Sequence, residues 1–78
     1  MLVKSREVNR RIEQRGGRLV RQAGSHRRYA ATYEKPDGTT ATAKTTVQQH
    51  AGDDIPIGTL KAIEKDLEPA FGKGWLTS

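Results

Sequence analysis

Two histidines, His26 and His50, are the side chains of this 78-residue sequence best suited to proton transfer, because an unperturbed imidazole titrates at about 6.5 and can both take and give a proton near neutrality. The chain has no cysteine. That removes thiolate nucleophiles, disulfides and Cys-based metal sites together. Asp53-Asp54 stand close to His50, but one adjacent acidic pair beside one imidazole does not make a metal-ligand spacing. The expectation is chemistry without a metal or any other cofactor.

His26 follows Gly24-Ser25 and opens a run, His26 to about Tyr33, that reads as a strand. Strand alternation places His26, Arg28, Ala30 and Thr32 on one face and Tyr29, Ala31 and Tyr33 on the other. The tyrosines can then join a core while the imidazole shares an open face with Arg28. Imidazole beside guanidinium suits phosphodiester chemistry. A neutral ring can take the proton of a 2′-hydroxyl, or a protonated ring can give one to the leaving oxygen, while arginine neutralises charge developing on the phosphoryl group. Such chemistry selects RNA, since DNA lacks the 2′-hydroxyl. His26 also fits a polar turn position, and the residues alone leave both readings open.

His50 lies in the polar stretch Gln48-Gln49-His50-Ala51-Gly52, where a loop or capping role is the plainer reading, although it could approach His26. Arg21, Arg27 and Lys44 are candidate phosphate contacts, with plain surface cations as the alternative. Ser25, Arg21, Arg27, Arg28, Lys44 and His50 thus form the supporting set around His26. No aromatic residue is assigned to the open face for base stacking, which favours recognition of the backbone over reading of bases.

The elements that must hold these groups are short. Ser5 reads as a cap for a helix through Arg15, with Val8 and Ile12 on its apolar stripe and Gly16-Gly17 as the stop. Arg18 to Gln22 reads as a first strand, Ala23-Gly24-Ser25 as a tight turn, and Glu34-Lys35-Pro36-Asp37-Gly38 as a second turn. A third strand from about Thr39 to Val47 rests on β-favouring threonines but is poor in aliphatic residues. Gly52-Asp53-Asp54 breaks the pattern. Leu60, Ile63 and Leu67 then mark a second helix, with Pro56 near its start and Pro69 expected to end or kink it. Phe71 and Trp75 are expected to cover an edge of the core. The order helix, three strands, helix gives an α+β class, an α-β-β-β-α two-layer sandwich.

A 78-residue chain supports one core, so residues 1–78 are expected to form a single domain, with 69–78 a C-terminal extension of unassigned role. The opening residues run into charge without an apolar stretch, so no signal peptide or membrane span is expected and the cytoplasm is the default compartment. The net charge of +5 is unevenly spread: residues 1–44 carry 11 Lys/Arg against four Asp/Glu, residues 45–78 three against five. A basic, arginine-rich half favours a polyanionic partner.

The run Gly17-Arg18-Leu19-Val20-Arg21-Gln22-Ala23-Gly24-Ser25-His26-Arg27-Arg28-Tyr29 resembles the glycine-serine-histidine hairpin of HicA-like toxins, also called the YcfA family. His50 through Ile63 is a second matching block, and with the opening helix the resemblance covers about three-quarters of the chain. The resemblance implies a fold like that of double-stranded-RNA-binding domains and a metal-independent endoribonuclease, an mRNA interferase, with His26 as its catalytic residue. It also implies messenger RNA as substrate, arrest of translation, and inhibition by a cognate HicB-like antitoxin that covers the histidine. Gly17 stands where the family usually has a large apolar or aromatic residue, so the first strand is expected to pack less well. The alternative function is a non-catalytic RNA-binding or translation-regulating module on the same basic face. A DNA-binding regulator ranks last, since no helix-turn-helix partner is recognisable.

Overall fold

A computed structural model describes residues 3–49 and 54–77 and shows the expected element order. The first helix, α1 (Ser5–Gln14), buries Val8 and Ile12 completely. Ser5 was expected to cap it. Instead the cap is Lys4, in extended geometry and without a side-chain capping bond, and Ser5 is the first helical residue, itself buried. The reason is tertiary: Val3 is buried in the core and its carbonyl accepts the Ile55 N–H at 2.8 Å, while Lys4 pairs with Asp54 in an isolated bridge and an ion pair of 3.4 Å. This extended segment fixes where the helix starts, and the Lys4 carbonyl accepts the first helical N–H bonds, from Glu7 and Val8. Gly16 closes the helix at φ 97°, a conformation that favours glycine.

Three antiparallel strands follow, β1 (Arg18–Ala23), β2 (His26–Glu34) and β3 (Thr40–Gln48), in the order β1-β2-β3. The β2–β3 turn forms at the Pro-Asp-Gly signal, with the Asp37 carboxylate accepting from the Thr39 N–H and hydroxyl and Gly38 at φ 85°. β3 pairs with β2 in unbroken register over nine residues despite its lack of aliphatics. Ala43, Thr45 and Val47 face inward, and the buried Thr45 hydroxyl is satisfied by donating to Asp66 at 2.9 Å. β1 is exposed along its length, Leu19 and Val20 included, in line with the expectation of a poorly packed first strand.

The second helix, α2 (Ile57–Phe71), packs Leu60, Ile63 and Leu67 onto the same sheet face as α1, so both helices form one layer and the sheet the other. This is the α+β, double-stranded-RNA-binding-domain-like sandwich. Pro69 does not end the helix, which continues to Phe71. A proline in the last turn forfeits one ladder bond, and the helix closes behind it with the Gly72 N–H bonded to the Glu68 carbonyl at 2.8 Å. Among the described residues no helix is long and apolar enough to cross a membrane.

Residues 72–77 fold back onto the helices. Trp75 and Leu76 are buried, the Trp75 indole donates to the Glu64 carbonyl at 2.8 Å, and Phe71 meets Trp75 edge-to-face at 5.0 Å. The Glu64 carboxylate accepts from Leu76 N–H, Thr77 N–H and the Thr77 hydroxyl, while Arg11 donates to the Leu76 carbonyl. Burial alone would push the Glu64 carboxyl up, but these bonds from Thr77 and Leu76, with the Lys61 charge, hold it below its ordinary 4.5. A depressed folded value contributes stability that is complete above about pH 4.5 and lost as pH falls through the folded value. The emission of Trp75, the sole tryptophan, should therefore shift to the red on acidification below that point. In Glu64→Gln that acid transition should flatten; an unchanged transition would show that the tail is not held by this carboxylate.

Candidate functional site: the open face of the sheet

The turn that presents His26 is two residues long, Gly24-Ser25, with Gly24 at φ 57° and Ala23 paired directly to His26. It does not stand free. The Gln49 N–H donates to the Ser25 carbonyl at 2.6 Å, and the Gln49 side chain exchanges amide bonds with Asn9 of α1, at 2.9 Å and 3.4 Å, and donates to the Val47 carbonyl. Asn9 is itself buried. A chain of hydrogen bonds thus links the turn before His26 to the end of β3 and to the helical layer, which sets the direction of the histidine without touching its ring.

Register places the surrounding groups. On the sheet face opposite the helices, His26 lies between Ala23 and Gln48, Arg28 between Arg21 and Thr46, and Ala30 between Arg18 and Lys44. Arg18 and Arg21 share this face although they are three positions apart, which regular alternation forbids. A β-bulge between Leu19 and Arg21 inserts Val20 as an unpaired residue, so the strand changes phase and Arg21 turns to the open side. Leu19, before the bulge, pairs with Tyr29 on the helix side.

Arg18, Arg21, Arg28 and Lys44 therefore stand together, and among the described residues none of them forms a salt bridge; the ion pairs are Lys4–Asp54 and those of Arg10 and Arg11 with Glu7. Four cations gathered on one face without carboxylate partners repel one another and attract polyanions. Arg21, Ala23, His26, Arg28 and Thr46 line a depression of about 250 Å³. Its neighbour shares Arg21, Arg28 and Thr46 and reaches Lys44 and Asp66. Among the described residues no three His, Cys, Asp or Glu side chains converge.

The other expected site residues fall as follows. Arg21, Arg28 and Lys44 join His26, and Ser25 sits in the turn with its carbonyl occupied by Gln49. Arg27 does not join them. It pairs with the buried Val47, points to the helix side, and reaches the Tyr29 hydroxyl at 3.5 Å. That hydroxyl in turn donates to Glu13 at 3.3 Å, and burial pushes the phenol up. His50 lies outside the described residues. Arg18 and Thr46 are additions to the expected set: Thr46 is recoverable once β3 is placed in register, whereas Arg18 needs the bulge, for which the residue pattern carries no signal.

Residues 5–68 match a family described as the HicA toxin of bacterial toxin–antitoxin systems. Neither the curated proteins nor the solved structures yield a match.

Proposed function

The chain belongs to the HicA toxin family of bacterial toxin–antitoxin systems, and from that premise we propose that it is an endoribonuclease that cuts messenger RNA with His26 as its proton-transfer residue. The family is generally one of ribonucleases with an antitoxin partner. The observation that carries the finer reading is the placement of an exposed histidine at the end of a face bearing Arg21, Arg28 and Lys44, none of which forms a salt bridge among the described residues.

In this mechanism neutral His26 takes the proton of a ribose 2′-hydroxyl, the 2′ oxygen attacks the adjacent phosphorus, and the P–O5′ bond breaks. The imidazolium returns its proton to the departing 5′ oxygen, leaving a 2′,3′-cyclic phosphate and a 5′-hydroxyl. Arg21 and Arg28 face the charge that grows on the non-bridging oxygens. No step requires a cofactor. The remaining supporting residues are assigned by position: Lys44 to the backbone further along the face, Ser25 to the turn. His50 stays a candidate second imidazole. A HicB-like antitoxin with carboxylates to offer would neutralise this face and cover His26. We take residues 1–78 as one domain, since 72–77 pack into the same core as the rest, and place its action in the cytoplasm, where messenger RNA is translated.

The test pairs an RNA with a DNA of the same sequence in the presence of a chelator. RNA should be cut to cyclic-phosphate ends and DNA left whole; cleavage of both, or binding of RNA without any cleavage, would refute the mechanism, and the second outcome would favour a non-catalytic RNA-binding module. Arg28→Ala should weaken RNA binding and reduce the slope of log affinity against log salt by about 1. Arg27→Ala should leave that slope unchanged, because its guanidinium lies on the other side of the sheet.

A further inference from the structure

We infer that the RNA strand lies lengthwise along β2 and is gripped on one side of the scissile bond only, with Arg18 as a backbone contact two rows from His26. This rests on the ribonuclease reading above. The open face is built in rows: His26 in the first, Arg21 and Arg28 in the second, Arg18 and Lys44 in the third. Rows on one face are two residues apart, about 7 Å, close to the separation of successive phosphates in an extended strand. The cations thus form a track that leads away from His26 in one direction.

Among the described residues nothing comparable lies in the other direction. The row of His26 contains Ala23 and Gln48, neither charged, and beyond it β1 turns into β2 at Gly24-Ser25. The far end of the track is held in place. Arg18 donates to the Thr32 hydroxyl across the sheet at 3.2 Å. Ala30, which lies on this face with no helix over it, is only 2% exposed, and its direct neighbours across the sheet are Arg18 and Lys44. The third row is therefore a pair of cations flanking a small residue, offering phosphate contacts and no aromatic surface for a base.

A substrate laid on this track has its reacting phosphate at His26 and its next two phosphates at the second and third rows. Nucleotides on the other flank leave the protein. The bond cut in a long RNA is first mapped, and the RNA is then shortened one nucleotide at a time from each end. Trimming the gripped flank should raise KM about threefold to tenfold for each phosphate removed from the track, while the opposite flank should tolerate trimming to one nucleotide. Arg18→Ala should raise KM of the long RNA by a similar factor and leave unchanged that of an RNA already trimmed on the gripped flank. Equal dependence on both flanks, or an Arg18→Ala effect that ignores trimming, would overturn the one-sided track.

Binding of the same long RNA to the His26→Ala protein separates this inference from the assignment of the catalyst. Adding Arg18→Ala there should lower the salt slope by about 1. An unchanged slope removes Arg18 from the track whatever happens to cleavage, and a lowered slope in a protein whose parent cuts no RNA keeps the track and refutes the ribonuclease.

Discussion

Replacing His26 with alanine should abolish RNA cleavage and growth arrest and leave the fold intact. The first half follows from proton transfer, whose loss costs on the order of 10²–10⁴ in rate when a positioned acid–base group is removed. The second follows from position. His26 is exposed, its turn is held through the Ser25 carbonyl rather than through the imidazole, and the core lies on the other face of the sheet. An exposed substitution of that kind changes stability by no more than about 0.5 kcal/mol. Circular dichroism and thermal unfolding would read the fold, product analysis the chemistry, and induced expression the growth effect. A folded His26→Ala protein that still cuts RNA would remove His26 from the mechanism.

The second large effect concerns stability and comes from a glycine. Gly17 has ordinary backbone geometry, so its conformation does not demand glycine, yet a Cβ there would lie 2.3 Å from the Ile12 Cγ2, 3.0 Å from the Ile12 carbonyl oxygen and 3.3 Å from the Phe71 Cζ. Two of those neighbours belong to a fully buried residue and its helical backbone, which have little room to yield. Gly17→Ala should cost about 1–3 kcal/mol by overpacking, a fall in Tm of roughly 4–8 °C per kcal/mol for a domain of this size. Ile12→Leu moves the branch away from Cβ, so the same glycine substitution should cost less in that background. Gly17→Ala without loss of stability would mean that the neighbours relax freely. Phe71 also explains the unusual residue. The space a bulky side chain at position 17 would claim is taken from the other end of the chain.

What could be read from the residues, and what could not, divides along physical lines. The period-two pattern from His26 to Tyr33 was enough to separate the imidazole and Arg28 from the core tyrosines, and the structure has Tyr29 buried and His26 exposed. The Pro-Asp-Gly turn was legible because each residue has a local reason to be there. Ser5 as a cap failed because the start of α1 is set by the pairing of Val3 and Lys4 with residues about fifty positions away, and no local propensity records that. Pro69 does not end α2 for the opposite reason: a proline so near a helix end gives up little. Arg27 does not serve as the phosphate contact its charge suggests, because neighbours on a strand point apart and it faces the helices. The link from Asn9 through Gln49 to Ser25 joins three segments that are distant in sequence and chemically unremarkable, so it shows only in the folded chain.

The bulge at Val20 carries a last consequence for how this protein responds to genetic change. Val20 is exposed and unpaired, and many side chains would serve there equally well. Its presence is equally dispensable to the charge pattern. Loss of that codon leaves Arg18 and Arg21 two positions apart, and the sequence Arg18-Leu19-Arg21 then opposes Ala30-Tyr29-Arg28 one to one, so simple alternation keeps both guanidinium groups on the open face. A survey of substitutions and a survey of single-residue deletions should therefore both score position 20 as tolerant. What the extra residue adds is local twist in the edge strand, and neither its identity nor its count is fixed by the charge of the face.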